Sequence, residues 1–147
     1  MKLIHTGAVV LLLTSFIPPT AVTAQDNAEG NLQALQGRWI RAVKTKNIEY
    51  KIVKVHTGYK TTVTVLGPDG KIVTAKESEF RLESTDRVKV FTFFNNRILV
   101  GPNKGQIDKK EKSYIYRIEG DRFIEAQGLL TDDRGKPFMI IWHRDEN

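Results

Sequence analysis

Two histidines and one glutamate are the residues of this chain whose types and spacing could do chemistry. His56 closes the apolar run IVKVHT, and His143 stands between Trp142 and Arg144 near the C-terminal end. An imidazole titrates near neutral pH, so either could act as a general acid or base or as a metal ligand. His56 is the better placed, ending a strand where a barrel mouth would lie, with Glu125 or Tyr116 as the partner that proton transfer requires within hydrogen-bond reach. Against this stands the ordinary reading, a hydrogen-bonded histidine at a strand end, because no partner follows from the spacing. His143 alternates with Trp142, so an inward indole puts the imidazole in solvent. Glu125 shares a strand face with Phe123; if that face is interior, it is a buried acid with a raised pKa or an ion-pair partner, and such acids cluster at functional sites. If Ile124 and Ala126 face inward instead, Glu125 is a solvated surface acid.

Common catalytic signatures are missing. There is no G-x-S-x-G, no H-E-x-x-H and no phosphate-binding glycine loop, and the chain has no cysteine. With so few ligand types at no metal-binding spacing, neither a metal site nor a cofactor is expected. The remaining acids, Glu77, Glu79, Glu83 and Glu119 among them, occupy outward or turn positions, where solvation is the default. Four residues could instead line a ligand cavity: Tyr50, His56, Tyr116 and Trp142.

The segments that must position these residues begin after an export-like leader. Lys2, an apolar core over 8–17, Pro18-Pro19 and the small-residue pattern Val22-Thr23-Ala24 read as a signal peptide over residues 1–24, cleaved before Gln25. The apolar core is shorter than the about 20 residues a spanning helix needs, so no stable membrane span is expected after cleavage. The expected location is periplasmic or extracellular, and stability there must come without disulfides. The whole chain of 147 residues carries a net charge of +6, and removing the leader takes away one lysine and no acid. Its basic residues are scattered singly and its densest cluster, DKKEK over 108–112, is interrupted by acids, which reads as a solvated loop and argues against a nucleic-acid partner. An anionic envelope polymer remains a candidate partner through long-range attraction.

Beyond a polar leader over 25–30, one domain over 31–147 is expected, and it is almost all strand. Asn31 can cap a short helical turn that places Leu32 and Leu35 on one face and ends at Gly37. Period-two alternation then runs through RWIRAVKT and IEYKIVKVHT, with Ile48, Tyr50 and Ile52 on one face and Val53 and Val55 on the other, a switch that a bulge or a change of environment would produce. Pro68-Asp69-Gly70 reverses a hairpin, and Phe80 and Leu82 point inward from SEFRLES. Asn95-Asn96 can accept the positive φ of a tight turn. Gly101 to Ser113 reads as a long loop, followed by a meander with its turn at Glu119-Gly120-Asp121 and a last strand, PFMIIWHR. Eight to ten short strands with no covering helix must form a sandwich or close on themselves; the expected fold is an all-β antiparallel up-and-down barrel.

The order of a helical turn with Leu32 and Leu35, then Gly37-x-Trp39 opening the first strand, a meander, and Arg144 on the last strand resembles lipocalin-like barrels of the calycin type. The resemblance implies that the Trp39 ring plugs the closed end with the Arg144 guanidinium across it. More narrowly, His56-Thr57 before the central hairpin, the late Gly120-Asp121 turn and the Trp142-x-Arg144 ending resemble exported lipocalin-like domains of undefined role from Bacteroidetes and Planctomycetes. The charged segment around Asp108 to Lys112 departs from that pattern. Because the role of those domains is undefined, the resemblance implies a fold more than a function; the expected function is to hold a small apolar or aromatic molecule inside the barrel. Two alternatives stand beside it: an enzyme using His56 as general acid or base, and a filled barrel that acts through its outer surface.

Overall fold

The computed structural model describes residues 24–85, 87–130 and 135–146. The expected signal peptide lies outside the described residues except for Ala24. One helix, α1 (Ala24–Leu35), precedes nine strands: β1 (Gly37–Thr45), β2 (Ile48–Thr57), β3 (Lys60–Leu66), β4 (Ile72–Thr85), β5 (Val88–Val100), β6 (Ile107–Asp108), β7 (Lys112–Glu119), β8 (Arg122–Gln127) and β9 (Phe138–Arg144). Every pairing is antiparallel. Strands β1 to β5 and β7 to β9 follow one another around the sheet, and the pairing of β9 with β1 closes it into an eight-stranded up-and-down barrel, lipocalin-like in architecture. Closure removes the exposed edges that a flat sheet of these strands would leave. Strand β6 is an extra two-residue strand lying against Asn96 and Arg97 of β5, beyond the end of β7.

Up-and-down connectivity sorts the connections onto two ends. The turns after β2, β4 and β7 share one end with α1, here the helix end; those after β1, β3, β5 and β8 form the loop end. Helix α1 is longer than the single turn expected: residues 25–30 are helical rather than a free leader, and Asn31 lies inside the helix instead of capping it. Gln25, Ala28 and Glu29 are good helix formers, and Leu32 and Leu35 anchor the last turn on the barrel core. Gln36 N–H closes that turn on Leu32 O, and Gly37 leaves the helix with φ 102°, a conformation that side chains rarely adopt.

Three sequence expectations are corrected by the register. Asn95-Asn96 makes no turn: β5 runs straight through, and Asn95, at φ 53°, sits at an irregularity where β4 slips against β5. A residue with positive φ can serve a bulge as well as a reversal, and here the partner strand β4 is long enough to keep pairing on both sides of it. The face switch in β2 involves no bulge, because pairing with β1 is unbroken from Gly37↔His56 to Thr45↔Ile48. Val53 and Val55 simply lie on the outer face, so the inner face of β2 reads Tyr50, Ile52, Lys54, His56. The expected loop from Gly101 to Ser113 contributes strand β6 and, from Lys112, the start of β7.

The core gathers at the helix end. Leu35, Trp39, Phe80, Phe91, Tyr114, Tyr116, Phe123, Ile140 and Trp142 form one buried cluster. Phe91 is stacked between Phe80 and Tyr114, with ring centroids at 4.6 and 5.0 Å; such pairs add about 0.5–1.5 kcal/mol each beyond their buried area.

Candidate functional site

The barrel interior is built in levels. At the helix end, Arg144 lies across the indole of Trp39, its Cζ 4.1 Å from the ring centroid. The same guanidinium donates to Gln36 O at 2.9 Å and to Ala34 O at 2.7 Å, satisfying carbonyls that the last turn of α1 leaves without helical partners. Trp39 Nε1 donates to Leu35 O at 2.8 Å, so the ring is pinned from both sides. This end of the barrel is a plug.

His56 lies just above it and only 1 % exposed, not at the mouth. Its ring meets Phe80, Phe91 and Phe123 at steep angles, with centroids 5.4 to 5.7 Å apart. Neither ring nitrogen has a hydrogen-bond partner among the described residues. Burial, and then the Lys54 charge, push its pKa down to about 2, so the imidazole is neutral. The geometry therefore makes no relay from His56 to Glu125 or to Tyr116. Tyr116 is itself buried against Phe91 and Phe123, and burial raises its phenol to about 12.

The next level is charged. Lys54 from β2 and Glu125 from β8 form a buried ion pair across the interior. Lys54 Nζ also reaches Tyr114 Oη at 3.5 Å, and Gln127 Nε2 donates to the second Glu125 oxygen at 3.2 Å. Beneath the ammonium lies Trp142, its ring centroid 4.4 Å from Nζ, and the Arg41 guanidinium stacks on the same indole at 4.9 Å. Burial lowers the Lys54 pKa against the opposing pull of Glu125, and burial also lowers that of Arg41. Tyr114 is raised well above the usual phenol range, first by burial and then by the Glu125 carboxylate. Two donors of this level, Arg41 Nε–H and Trp142 Nε1–H, are buried without any acceptor among the described residues.

Toward the loop end the register points Val43, Tyr50, Ile52, Val63 and Val65 inward above this charged floor. Of the residues singled out from the sequence, Glu125 and Trp142 are thus brought together, Tyr50 lies nearer the loop end, and His56 and Tyr116 belong to the ring cluster. His143 faces outward and exposed, opposite in sense to Trp142. Sequence reasoning missed Arg41 and Lys54. The signal was there: Arg41 keeps the parity of Trp39, and Lys54 that of Tyr50 and Ile52, but a charged residue on an inward position reads as a break in the pattern.

Outside the wall, the slip between β4 and β5 opens a groove of about 360 Å³ whose lining includes Lys60, Glu77, Glu79, Arg97 and Lys109. It mixes both signs of charge and contains none of the candidate residues. Among the described residues no group of three or more His, Asp or Glu side chains could hold a metal ion, and no helix is long and apolar enough to cross a membrane. Comparison of the chain with known protein families, curated proteins and solved structures yields no match.

Proposed function

We propose that this chain is an exported, lipocalin-like binding protein, holding a small, mainly apolar or aromatic molecule that carries one hydrogen-bond-accepting group. The observation that carries the reading is the pair of unpartnered donors, Arg41 Nε–H and Trp142 Nε1–H, stacked beside the Lys54–Glu125 pair. Buried donors without partners each cost about 1–3 kcal/mol, which an accepting ligand atom would recover. The level also holds two cationic side chains against one carboxylate, so an acidic acceptor fits its charge. A mostly apolar cavity with a few convergent polar groups is the usual character of a small-molecule site. The inward Tyr50, Ile52, Val63 and Val65 supply the apolar wall above it.

The competing reading as an enzyme loses ground because His56 is neutral, enclosed by rings and unpartnered. A thermal-shift screen of aromatic and medium-chain carboxylates, each beside its neutral alcohol, tests the proposal. A ligand at a hundredfold excess over its Kd stabilises by about 2.7 kcal/mol. The expected result is a rise in Tm with the acids, weaker with the alcohols, accompanied by a change in Trp142 emission and lost in Arg41→Met. A screen in which no compound shifts Tm, or in which Arg41→Met responds like the parent, overturns it.

A further inference from the structure

The barrel wall is not joined along its whole height. The register between β1 and β9 holds two pairs, Trp39↔Arg144 and Ile40↔His143, and Asp145 N–H extends it toward the helix end by donating to Arg38 O at 2.9 Å. Toward the loop end it stops after Ile40. Both strands nevertheless run on, Arg41 to Thr45 held by β2 and Phe138 to Trp142 held by β8, so the seam parts between two paired lips and not between frayed ends. Five residues on each lip span about 17 Å. The other short seam, β5 against β7, is made good by β6, which takes up Asn96 and Arg97 of β5. No strand among the described residues does this for β1 and β9.

Hydrogen bonds of an antiparallel ladder alternate along each strand. With Arg38 bonded across to β9, Ala42 and Lys44 turn their backbone groups the same way, and Met139 and Ile141 face them from β9. All four residues are exposed, Ile141 by 40 % and Met139 by 70 %, so water reaches both lips from outside. The inner side of the lips carries Arg41 and Val43 from β1 and Ile140 and Trp142 from β9. Where the strands part, Arg41 stacks on Trp142 across the gap, 4.9 Å from the ring centroid. The two donors without an acceptor, Arg41 Nε–H and Trp142 Nε1–H, therefore stand at the foot of the opening. Between that point and the loop end, Lys44 and Thr45 are the only polar side chains of the lips.

We propose that the β1–β9 seam is a lateral portal and that the ligand is an elongated amphiphile, its acidic head on Arg41 and Trp142 and its apolar tail leaving the barrel between Ala42 and Ile141. The inference rests on the binding reading above and adds the shape of the ligand and the path of its tail. A head at the foot of the seam has the ring cluster beneath it, where Phe91 and Phe123 are fully enclosed, so a long tail cannot run toward the helix end. The seam offers it an apolar path instead. A tail laid there takes Ile141 and Met139 out of water, which a compact ligand would leave exposed.

Because the chain has no cysteine, a single label reports a single place. Full-length protein carries a fluorophore on one lip, at Ala42→Cys or Ile141→Cys, or at Ile72→Cys, at the loop end on the far side of the barrel. A long-chain fatty acid with a nitroxide at its tail end is added below its micellar concentration. The expected result is saturable quenching at positions 42 and 141, severalfold above position 72, lost in an Arg41→Met background and competed away by the unlabelled acid more than by the matching alcohol. Quenching as strong or stronger at position 72 that still requires Arg41 leaves the binding reading standing and overturns the portal. So does quenching of tryptophan emission with all three labels untouched, which keeps the tail inside the barrel. No saturable quenching of tryptophan or label, or quenching unchanged in Arg41→Met, overturns the binding reading and the portal with it.

Discussion

Lys54 and Glu125, separated by 71 positions in the chain, meet as an ion pair inside the barrel, both almost fully buried. Removing two charges from water is expensive, and their attraction offsets this only while both remain. Glu125→Gln leaves the Lys54 ammonium among aromatic rings beside Arg41 and is expected to destabilise by about 3–5 kcal/mol. Lys54→Met should lose a similar amount, while the double variant should be more stable than either single one. Urea unfolding of the four proteins measures the coupling; losses that simply add would show that the pair acts as two independent residues.

Acid should act on the protein through His56. Its imidazole has a pKa of about 2 when folded against 6.5 when free. The unfolded chain therefore takes up the proton first: stability is complete above pH 6.5 and falls as pH drops from 6.5 toward 2. The loss is about 1.4 kcal/mol per pH unit. Between pH 6.5 and 5, where carboxylates have barely begun to protonate, His56→Leu should flatten the pH dependence of the urea midpoint. An unchanged slope in that variant would assign the acid sensitivity elsewhere.

Arg144→Ala removes the cation over Trp39 together with both donors to the end of α1. About 2–3 kcal/mol should be lost, summing a cation–π contact with charge-assisted hydrogen bonds. Arg144→Lys should restore less than half, since an ammonium cannot stack flat and reach two carbonyls together. Thermal unfolding followed by near-ultraviolet circular dichroism reads both stability and the packing of Trp39.

Gly37→Ala and Gly58→Ala separate two costs. Gly58 has φ 55° and open space where a methyl would go, so only the left-handed conformation is penalised, about 1 kcal/mol. Gly37 has φ 102° and its added methyl would lie 3.2 Å from Arg144 Nη1. Its loss should be larger, about 2–3 kcal/mol, and smaller in an Arg144→Ala background. Equal losses at the two glycines would mean that the close approach to Arg144 contributes nothing.

Most strands were legible because they carry their own period-two pattern between their own turn residues; β6, two residues inside the expected loop, and the unbroken run of β5 were not. IEYKIVKVHT, the Pro68-Asp69-Gly70 reversal and the Glu119-Gly120-Asp121 turn are local signals, and a local signal needs no knowledge of the partner strand. That Trp142 and His143 face opposite ways follows from alternation alone; that the indole is the inward one is decided by the fold. Asn95 shows where local chemistry runs out: a positive φ serves a turn or a bulge, and the choice belonged to β4, which continues pairing past it.

The sequence by itself determined that this chain is a meander of antiparallel strands with apolar inward positions and too little helix to cover them, because those properties reside in neighbouring residues. Tertiary structure alone decided what the inward positions mean. Once β2 and β8 face each other across a closed barrel, Lys54 stops looking like a flaw in an apolar strand and becomes the partner of Glu125. His56, whose imidazole suggested acid–base chemistry, is enclosed by Phe80, Phe91 and Phe123 and held neutral. Burial and electrostatic pairing act through space across strands, and no spacing along the chain encodes them.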